Sequence, residues 1–167
     1  STALRRLISD VLRRMLAGEL EPSKLIRPLN LLTLGTKMAD VAIVYQSKFG
    51  HTKAVAEAVG RGVDRVEETT LHLMDVEHDM DIANGVIDWE TLDNATAIIF
   101  GSATYMGSVS SGLKRFFEEV FFQGRWTEQV WKDKLAGGFT DSGSRSGDKV
   151  NTMFDIVTFA GQMAMLW

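Results

Sequence analysis

The sequence predicts an α/β fold in which helices pack on both sides of a doubly wound, parallel sheet. Three parts of the chain indicate this, because each contains a buried strand, a turn of small and polar residues, and a helix with periodic apolar positions. A further strand is predicted over 69–74, a short helical turn near Trp89, and another helical piece after Gln123. The three strands are 41–45, 95–101 and 134–139. The periodic positions after the first strand are Val55, Ala58, Val59, Gly62 and Val63, and those after the second are Leu113, Phe116, Phe117, Val120 and Phe121. Those after the third are Val150, Met153, Phe154, Val157 and Gly161.

Composition and charge narrow the class of protein. With 167 residues, 45% of them hydrophobic, the chain can form one domain with a substantial core. The absence of cysteine excludes disulfides, thiolate metal sites and a cysteine nucleophile, and is compatible with the reducing cytoplasm that we predict as its location. No apolar run approaches the length needed to span a bilayer, so we expect no membrane partner.

Residues 1–37 differ from the rest in charge. They carry seven basic and three acidic residues, a net charge of +4, and because the whole chain carries −4, the remainder carries −8. Apolar residues recur at helical spacing from Leu4 to Leu16, and Gly18 is placed to end that helix. We therefore predict a helical extension with a linker over 1–37 and an acidic domain over 38–167, whose charge argues against a nucleic-acid partner.

The turn after the first strand has the composition of an anion-binding site. Ser47, His51 and Thr52 can donate hydrogen bonds to an anion, and Gly50 allows the backbone to approach it closely. The unpaired N–H groups in the first turn of the helix point toward the same place. Neither the G-x-G-x-x-G spacing of dinucleotide-binding turns nor the P-loop spacing is present. A phosphate site is therefore predicted, with an ordinary turn capped by hydroxyls as the alternative.

The first turn and the two later turns together resemble the flavodoxin family. The run 47–52, SKFGHT, and the run 100–112, FGSATYMGSVSSG, are similar to the WrbA-like branch of NAD(P)H:quinone oxidoreductases, and the third turn resembles the family's third FMN segment. One departure is Ala103, which stands where that branch has proline and implies a less rigid loop. The resemblance implies FMN as cofactor, and the residues that match its binding segments are Ser47, Lys48, Phe49, Gly50, His51, Thr52, Ala103, Thr104, Tyr105, Met106, Gly107, Thr140, Ser142, Gly143 and Ser144.

The resemblance also assigns parts of the cofactor to these segments. It places the FMN phosphate at the first turn and the flavin ring against Thr104, Tyr105, Met106 and Gly107. The ring could stack on Tyr105, Phe49 or Trp126, and the sequence leaves these three open. The implied sheet order is 2-1-3-4-5, with 163–167 as an incomplete fifth strand beyond which the family's final helix is missing. We expect another segment to cover that face, and our preferred candidate is the N-terminal helix.

The resemblance implies a flavin enzyme that uses NAD(P)H for two-electron reduction of quinone-like acceptors. The chemistry then belongs to the flavin, and no side chain need act as acid, base or nucleophile. Identical subunits would complete the flavin pocket in a homo-oligomer. No metal site is expected, because His72 and His78 lack a second ligand at metal-binding spacing.

Two other functions remain open from the sequence. One is a flavodoxin-type carrier that passes single electrons to a redox partner protein through an acidic surface. The other is a flavin-free scaffold or interaction module. A phosphoacceptor receiver domain is disfavoured, since the first and third strands are followed by Gln46-Ser47 and Gly101-Ser102 where carboxylates would be needed.

Overall fold

The computed structural model describes residues 39–145 and 148–167. The helix and linker predicted over 1–37 lie outside the described residues, and the domain boundary at Met38 stays a prediction. No helix of the described part is long and apolar enough to cross a membrane. In chain order the elements are β1 (Ala39–Gln46), α1 (His51–Val63), β2 (Thr69–Asp75), a 3₁₀ helix (Ile82–Asn84), α2 (Trp89–Asn94), β3 (Ala97–Tyr105), β4 (Ser108–Val109), α3 (Ser111–Phe122), β5 (Leu135–Asp141) and α4 (Lys149–Gln162).

The sheet has the predicted flavodoxin-like order. Strands β2, β1, β3 and β5 are parallel neighbours in that order, so β5 is the fourth parallel strand of the prediction. The register aligns Val41 of β1 with Leu71 and Ala97, and Ala97 with Leu135. Leu135 also forms a parallel bridge with Leu166, in the segment predicted as the fifth strand. The doubly wound parallel fold is therefore confirmed for the described residues.

The second predicted turn is a tight hairpin. Strand β3 continues past Gly101 to Tyr105, and Thr104 and Tyr105 pair antiparallel with Val109 and Ser108 of β4. Met106 and Gly107 form the two-residue turn with φ of 50° and 78°, the left-handed geometry that matches the twist of paired strands. Strand pairing of Ala103 with Asp141 and of Thr104 with Val109 therefore fixes the backbone before the turn.

The segment between α3 and β5 is a series of turns, so the prediction of a helical piece after Gln123 is wrong. Gly124, Gln129 and Asp133 have positive φ values, which interrupt a right-handed helix. Asp93 holds this segment, because its carboxylate accepts two hydrogen bonds from Arg125 and one from the indole N–H of Trp131.

The core is unequal on the two faces of the sheet. On one face, a large cluster joins β1 and β3 to α3 and α4 through side chains such as Val44, Phe100, Phe116 and Ile156, all fully buried. On the other, Ile43, Tyr45 and Ala56 form a small cluster under α1, with Leu71, Ile99 and Phe139 among the partly buried side chains around it. The larger cluster anchors the helices that follow the second and third turns, and so positions those turns.

Candidate cofactor site

Ser47 organises the turn between β1 and α1. Its hydroxyl oxygen accepts hydrogen bonds from the N–H groups of Gly50 (3.1 Å) and Lys53 (3.0 Å), and the side chain is buried. Gly50 precedes the helix with a φ of 85°, a left-handed conformation that favours glycine. The N–H groups of His51 and Thr52 have no carbonyl one helical turn earlier to bind. They are thus the backbone donors that this turn leaves for an anion.

The hydroxyl of Thr52 is engaged by a carboxylate from the third turn. Thr52 Oγ1 donates to Asp141 Oδ1 at 2.7 Å, although the two residues lie 89 positions apart. Asp141 is the last residue of β5, and its carboxylate lines the same cavity as His51 and Thr52. The predicted phosphate site therefore contains an acidic group that opposes a bound dianion.

Helix α4 fixes the hairpin of the second turn. Asp155 Oδ2 accepts hydrogen bonds from Ser108 Oγ (2.6 Å) and from the N–H of Val109 (3.1 Å). Asn151 donates through Nδ2 to the carbonyl of Gly107 at 2.6 Å. Met106, at the tip, is fully exposed in a left-handed conformation that is uncommon for a side chain of its size. The backbone of the hairpin is thus fixed by hydrogen bonds to α4, and one apolar side chain is exposed at its tip.

Three threonines join the second and third turns. Thr104 Oγ1 lies 2.8 Å from the hydroxyl of Thr140 on β5 and 2.8 Å from the hydroxyl of Thr152 on α4. In the third turn, Lys149 Nζ donates to Ser142 Oγ and to the carbonyl of Ser144, both at 2.8 Å. The second and third turns are therefore held to each other and to the start of α4.

Strand β1 ends in two buried polar side chains. Burial and the nearby carboxylates of Asp75, Asp79 and Glu57 raise the pKa of Tyr45 to about 12, because they disfavour the phenolate. Gln46, which is 6% exposed, donates through Nε2 to Glu77 at 2.5 Å. Its carbonyl oxygen Oε1 is buried and has no hydrogen-bond partner within the described part of the chain.

The three predicted segments converge on one cavity of about 260 Å³. Its volume is below the 300–1,000 Å³ typical of sites for whole small-molecule ligands, so it fits a part of one. It is lined by Ser47, Phe49, His51 and Thr52 of the first segment, Ala103, Thr104 and Tyr105 of the second, and Ser142 and Gly143 of the third.

The other predicted residues lie around this cavity. Lys48 lines a neighbouring groove, Gly50 is the residue before α1, and Met106 and Gly107 form the hairpin tip. Thr140 belongs to the threonine cluster, and Ser144 binds Lys149. Arg145 is exposed.

Two grooves adjoin the cavity, and Tyr105 lines all three. Phe49 is shared with the groove that contains Lys48 and Arg115, so Phe49 and Tyr105 separate that groove from the cavity. Trp126 lines the other groove, with the exposed Phe121 and Phe122. Of the three candidate stacking residues, Phe49 and Tyr105 therefore border the cavity, and Trp126 lies apart from it.

Sequence reasoning missed the charged and amide residues that support the site. Asp141, Asn151 and Asp155 each contact one of the predicted segments, and the sequence motifs predicted none of them as part of the site. The sequence position of Asp141 was informative, because ligands of such sheets bind in the crevice at the carboxyl ends of the parallel strands. The positions of Asn151 and Asp155 were not informative, since their roles depend on how α4 packs against the hairpin.

Comparison with curated proteins and solved structures identifies relatives. A flavodoxin, FldP, from Pseudomonas aeruginosa is 35% identical over 130 residues, and an NAD(P)H dehydrogenase (quinone) from Cupriavidus metallidurans is 32% identical over 131 residues. These matches cover 78% and 72% of this chain, and the chain spans 65% of the length of each relative.

Solved structures agree with this. The crystal structure of a flavodoxin, WrbA-like protein from Agrobacterium tumefaciens is 40% identical, with a TM-score of 0.64, covering 77% of this chain and 76% of that one. The Trp repressor binding protein of Bacillus subtilis is 17% identical, with a TM-score of 0.61 over 76% of this chain and 79% of that one, and shows likeness in fold alone.

Residues 41–166 match the family described as NADPH-dependent FMN reductase. That range runs from β1 to the residue that bridges β5, and it contains all three turns of the cavity. The chain therefore belongs to the NADPH-dependent FMN reductase family, among the flavodoxin-like FMN proteins near WrbA.

Proposed function

We propose that this protein is an FMN-dependent oxidoreductase that uses NAD(P)H to reduce quinone-like acceptors. The observation that carries the proposal is the convergence of the three predicted FMN segments on the 260 Å³ cavity. The relative from Cupriavidus metallidurans named NAD(P)H dehydrogenase (quinone) supports the donor and the acceptor class. When bound, FMN supplies the hydride chemistry, and the protein supplies binding, orientation and electrostatics.

The donor set of the cavity fits the phosphate of FMN. The N–H groups of His51 and Thr52 lie at the start of a 13-residue helix, whose positive end favours anions. The His51 side chain lines the same cavity and adds a further donor. Ser47 holds the turn in place by accepting the N–H groups of Gly50 and Lys53. In this assignment the backbone binds the phosphate, and Ser47 acts as a positioning residue.

The second and third segments fit the remainder of FMN. The cavity between Thr104, Tyr105 and Gly143 is bordered by the hairpin, whose backbone is fixed by β4 and by Asp155. Phe49 and Tyr105 are both substantially exposed, at 72% and 38%, so each offers an aromatic face beside the cavity. A planar ring placed there would stack on one of them.

A second function, single-electron transfer to a protein partner, is favoured by one observation. The relative from Pseudomonas aeruginosa is a flavodoxin and shares 35% identity with this chain. The acidic charge of the residues after Lys37 suits a carrier that docks on a basic partner. The two functions share the FMN site and differ in whether NAD(P)H reduces the flavin.

The test begins with the purified chain, incubated with excess FMN and then desalted. We expect about one equivalent of FMN to remain bound, and NAD(P)H oxidation to depend on an added quinone. His51→Gln should lower FMN affinity by about threefold to tenfold, because an imidazole, which can carry a positive charge, is replaced by a neutral amide donor. His78→Gln is the matched control, because His78 is exposed and pairs with Asp75 outside the cavity.

Retained FMN without NAD(P)H oxidation would favour the carrier over the enzyme. No retained FMN would overturn both and leave the flavin-free scaffold. Equal FMN affinities for the His51 and His78 variants would contradict the assignment of the phosphate to the start of α1.

A further inference from the structure

A second candidate binding site is a groove of about 780 Å³ between helices α3 and α4. We call it the α3–α4 groove and define it by six of the aromatic residues that line it, Tyr105, Phe117, Phe121, Phe122, Trp126 and Phe159. Phe117 of α3 and Phe159 of α4 stack with ring centroids 3.8 Å apart, so an aromatic pair joins the two helices at the groove. The volume lies within the range of sites that bind small molecules.

The α3–α4 groove is elongated and begins beside the predicted flavin position. Its lining extends from Ser111 to Phe122, the first and last residues of α3. At about 1.5 Å per helical residue, this distance is about 16 Å. Tyr105 lines the groove near the start of α3 and also lines the predicted flavin cavity. A ligand with one end at the flavin could therefore extend along the helices.

The charges that line the α3–α4 groove are engaged within the protein. Lys114 and Glu118 pair with each other, with Nζ and Oε1 3.5 Å apart. Asp155 accepts hydrogen bonds from the hydroxyl of Ser108 and the N–H of Val109. Among the described lining residues these are the charged ones, so the groove fits an uncharged occupant better than a phosphate or a charged peptide.

The far end of the α3–α4 groove is an exposed aromatic wall. Phe121, Phe122 and Trp126 are 50%, 72% and 43% exposed, and the ring of Phe121 lies 5.3 Å from that of Phe122 and 5.6 Å from that of Trp126. Arg125, the neighbour of Trp126, is held by two hydrogen bonds to Asp93. The wall is thus formed before a ligand binds, and apolar patches of this kind mark interaction sites.

We propose that the α3–α4 groove binds the apolar tail of the electron acceptor, so that this protein reduces quinones that carry an alkyl or prenyl chain. The ring would lie near Tyr105, and the tail would extend along α3 to the aromatic wall. The length of the groove, its apolar lining and its continuity with the flavin cavity through Tyr105 all match such a tail. The inference rests on the proposed function, since it names the class of acceptor for that reaction.

The binding test is a calorimetric titration of the FMN-treated protein with para-methylphenol and para-hexylphenol, whose rings resemble a quinone but accept no electrons. Hexylphenol should bind at least about tenfold more tightly, because each buried methylene adds to the free energy of transfer. Phe122→Ser and Trp126→Ser should each reduce that advantage about threefold or more, since each removes part of the aromatic wall. Both side chains are exposed, so the melting temperatures should stay close to that of the unmodified protein.

Phe154→Ser is the matched control. Phe154 is a phenylalanine of α4 that is 62% exposed and is not among the described residues that line the groove. Its replacement should leave the advantage of hexylphenol within about twofold of the original. Equal affinities for the two phenols would overturn the proposal. So would an advantage that Phe154→Ser reduces as much as Phe122→Ser does.

Light scattering tests the rival occupant, which is a second copy of this chain. We expect Phe122→Ser to leave the mass in solution unchanged. A lower mass for this variant, together with an unchanged preference for hexylphenol, would show that the aromatic wall is a subunit contact and would overturn the proposal.

The kinetic test compares methylbenzoquinone with hexylbenzoquinone as acceptors for the FMN-loaded protein and NAD(P)H. The tail should lower KM at least about fivefold with little change in kcat, because its contacts lie away from the reacting ring and form equally in the ground and transition states. Phe122→Ser should raise KM for hexylbenzoquinone and leave KM for methylbenzoquinone unchanged.

The two measurements together separate this inference from the proposed function. If the protein reduces both quinones with equal KM and binds both phenols equally, the tail assignment alone is wrong. If hexylphenol binds through Phe122 and Trp126 in a chain that reduces neither quinone, the proposed function is wrong, and the identification of the bound chain as a quinone tail is wrong with it.

Discussion

The starts of α1 and α3 make an instructive comparison, because both lie at the carboxyl edge of the sheet on either side of Phe49 and Tyr105. Each has a serine oxygen that accepts a first-turn N–H, Ser47 for α1 and Ser110 for α3. Their surroundings differ in charge. The start of α1 faces the carboxylate of Asp141, and the start of α3 lies in a groove lined by two cations, Lys48 and Arg115, and two carboxylates, Glu77 and Asp81.

The comparison teaches that a hydroxyl-rich turn and a favourable charge are separate properties. The start of α1 has the family's sequence pattern, yet its cavity is lined by the carboxylate of Asp141 and, among the described residues, by no lysine or arginine. The start of α3 lacks such a pattern, and both cations and carboxylates line the groove beside it. Backbone geometry alone therefore does not rank the two as anion sites, and substitutions at each can separate geometry from charge.

The largest expected effect comes from breaking the geometry at α1. Ser47→Ala removes the acceptor for two N–H groups in a buried turn, so we expect a loss of about 2 kcal/mol in the free energy of unfolding. FMN affinity should fall by more than about tenfold as the turn loosens. Urea unfolding and FMN fluorescence titration measure the two effects.

Ser110→Ala is the matched control for the other helix. It removes one cap, the hydrogen bond from Leu113, and should cost about 1 kcal/mol of stability. Its FMN affinity should stay close to that of the unmodified protein. Equal losses of FMN affinity in the two variants would show that Ser47 has no special part in the phosphate turn.

A smaller effect is expected from removing the opposing charge at α1. Asp141→Asn retains an oxygen that can accept from Thr52 but removes a negative charge from the cavity. We expect FMN to bind roughly fivefold more tightly, about 1 kcal/mol, and the gain to shrink at high salt. Fluorescence titration at low and high ionic strength measures both quantities.

Asp133→Asn is the control for that charge, since Asp133 is exposed in the turns before β5, and asparagine tolerates its left-handed backbone. It should leave FMN affinity unchanged. Weaker FMN binding by Asp141→Asn would reverse the interpretation, because the carboxylate would then be a ligand of the cofactor.

The sequence was sufficient for the parallel sheet and for the converging turns. Strands such as 41–45 are continuous apolar runs, and the polar residues after them mark the edge where ligands bind. It was not sufficient for the hairpin, because Ser102–Tyr105 are small or polar and read as a loop. Their strand conformation depends on pairing with β4 and β5.

Long-range contacts account for the rest of what the sequence left undetermined. The bond between Thr52 and Asp141 spans 89 residues, and the bond between Ser108 and Asp155 spans 47. Neither pair has a local pattern, since each arises where two helices or strands meet in the folded chain. The same holds for Gln46, whose burial beneath Gly112 follows from the packing of α3 on β1.

The smallest effect at neutral pH concerns Tyr45, which precedes the α1 turn among acidic residues. Its pKa is raised from 10.0 to about 12, so the folded state holds the phenol proton more tightly than the unfolded state. This contribution to stability is complete below pH 10 and is lost as the pH rises through about 12. Urea unfolding should show that decline, and Tyr45→Phe should lack it.

An ultraviolet titration tests the same cause directly. The chain has two tyrosines, so Tyr105→Phe leaves Tyr45 as the only phenol. Its ionisation should occur above the range of a free tyrosine, because Asp75, Asp79 and Glu57 add negative charge to a buried position. Ionisation near pH 10 would mean that water reaches Tyr45 and that the acidic surroundings of the α1 turn are screened.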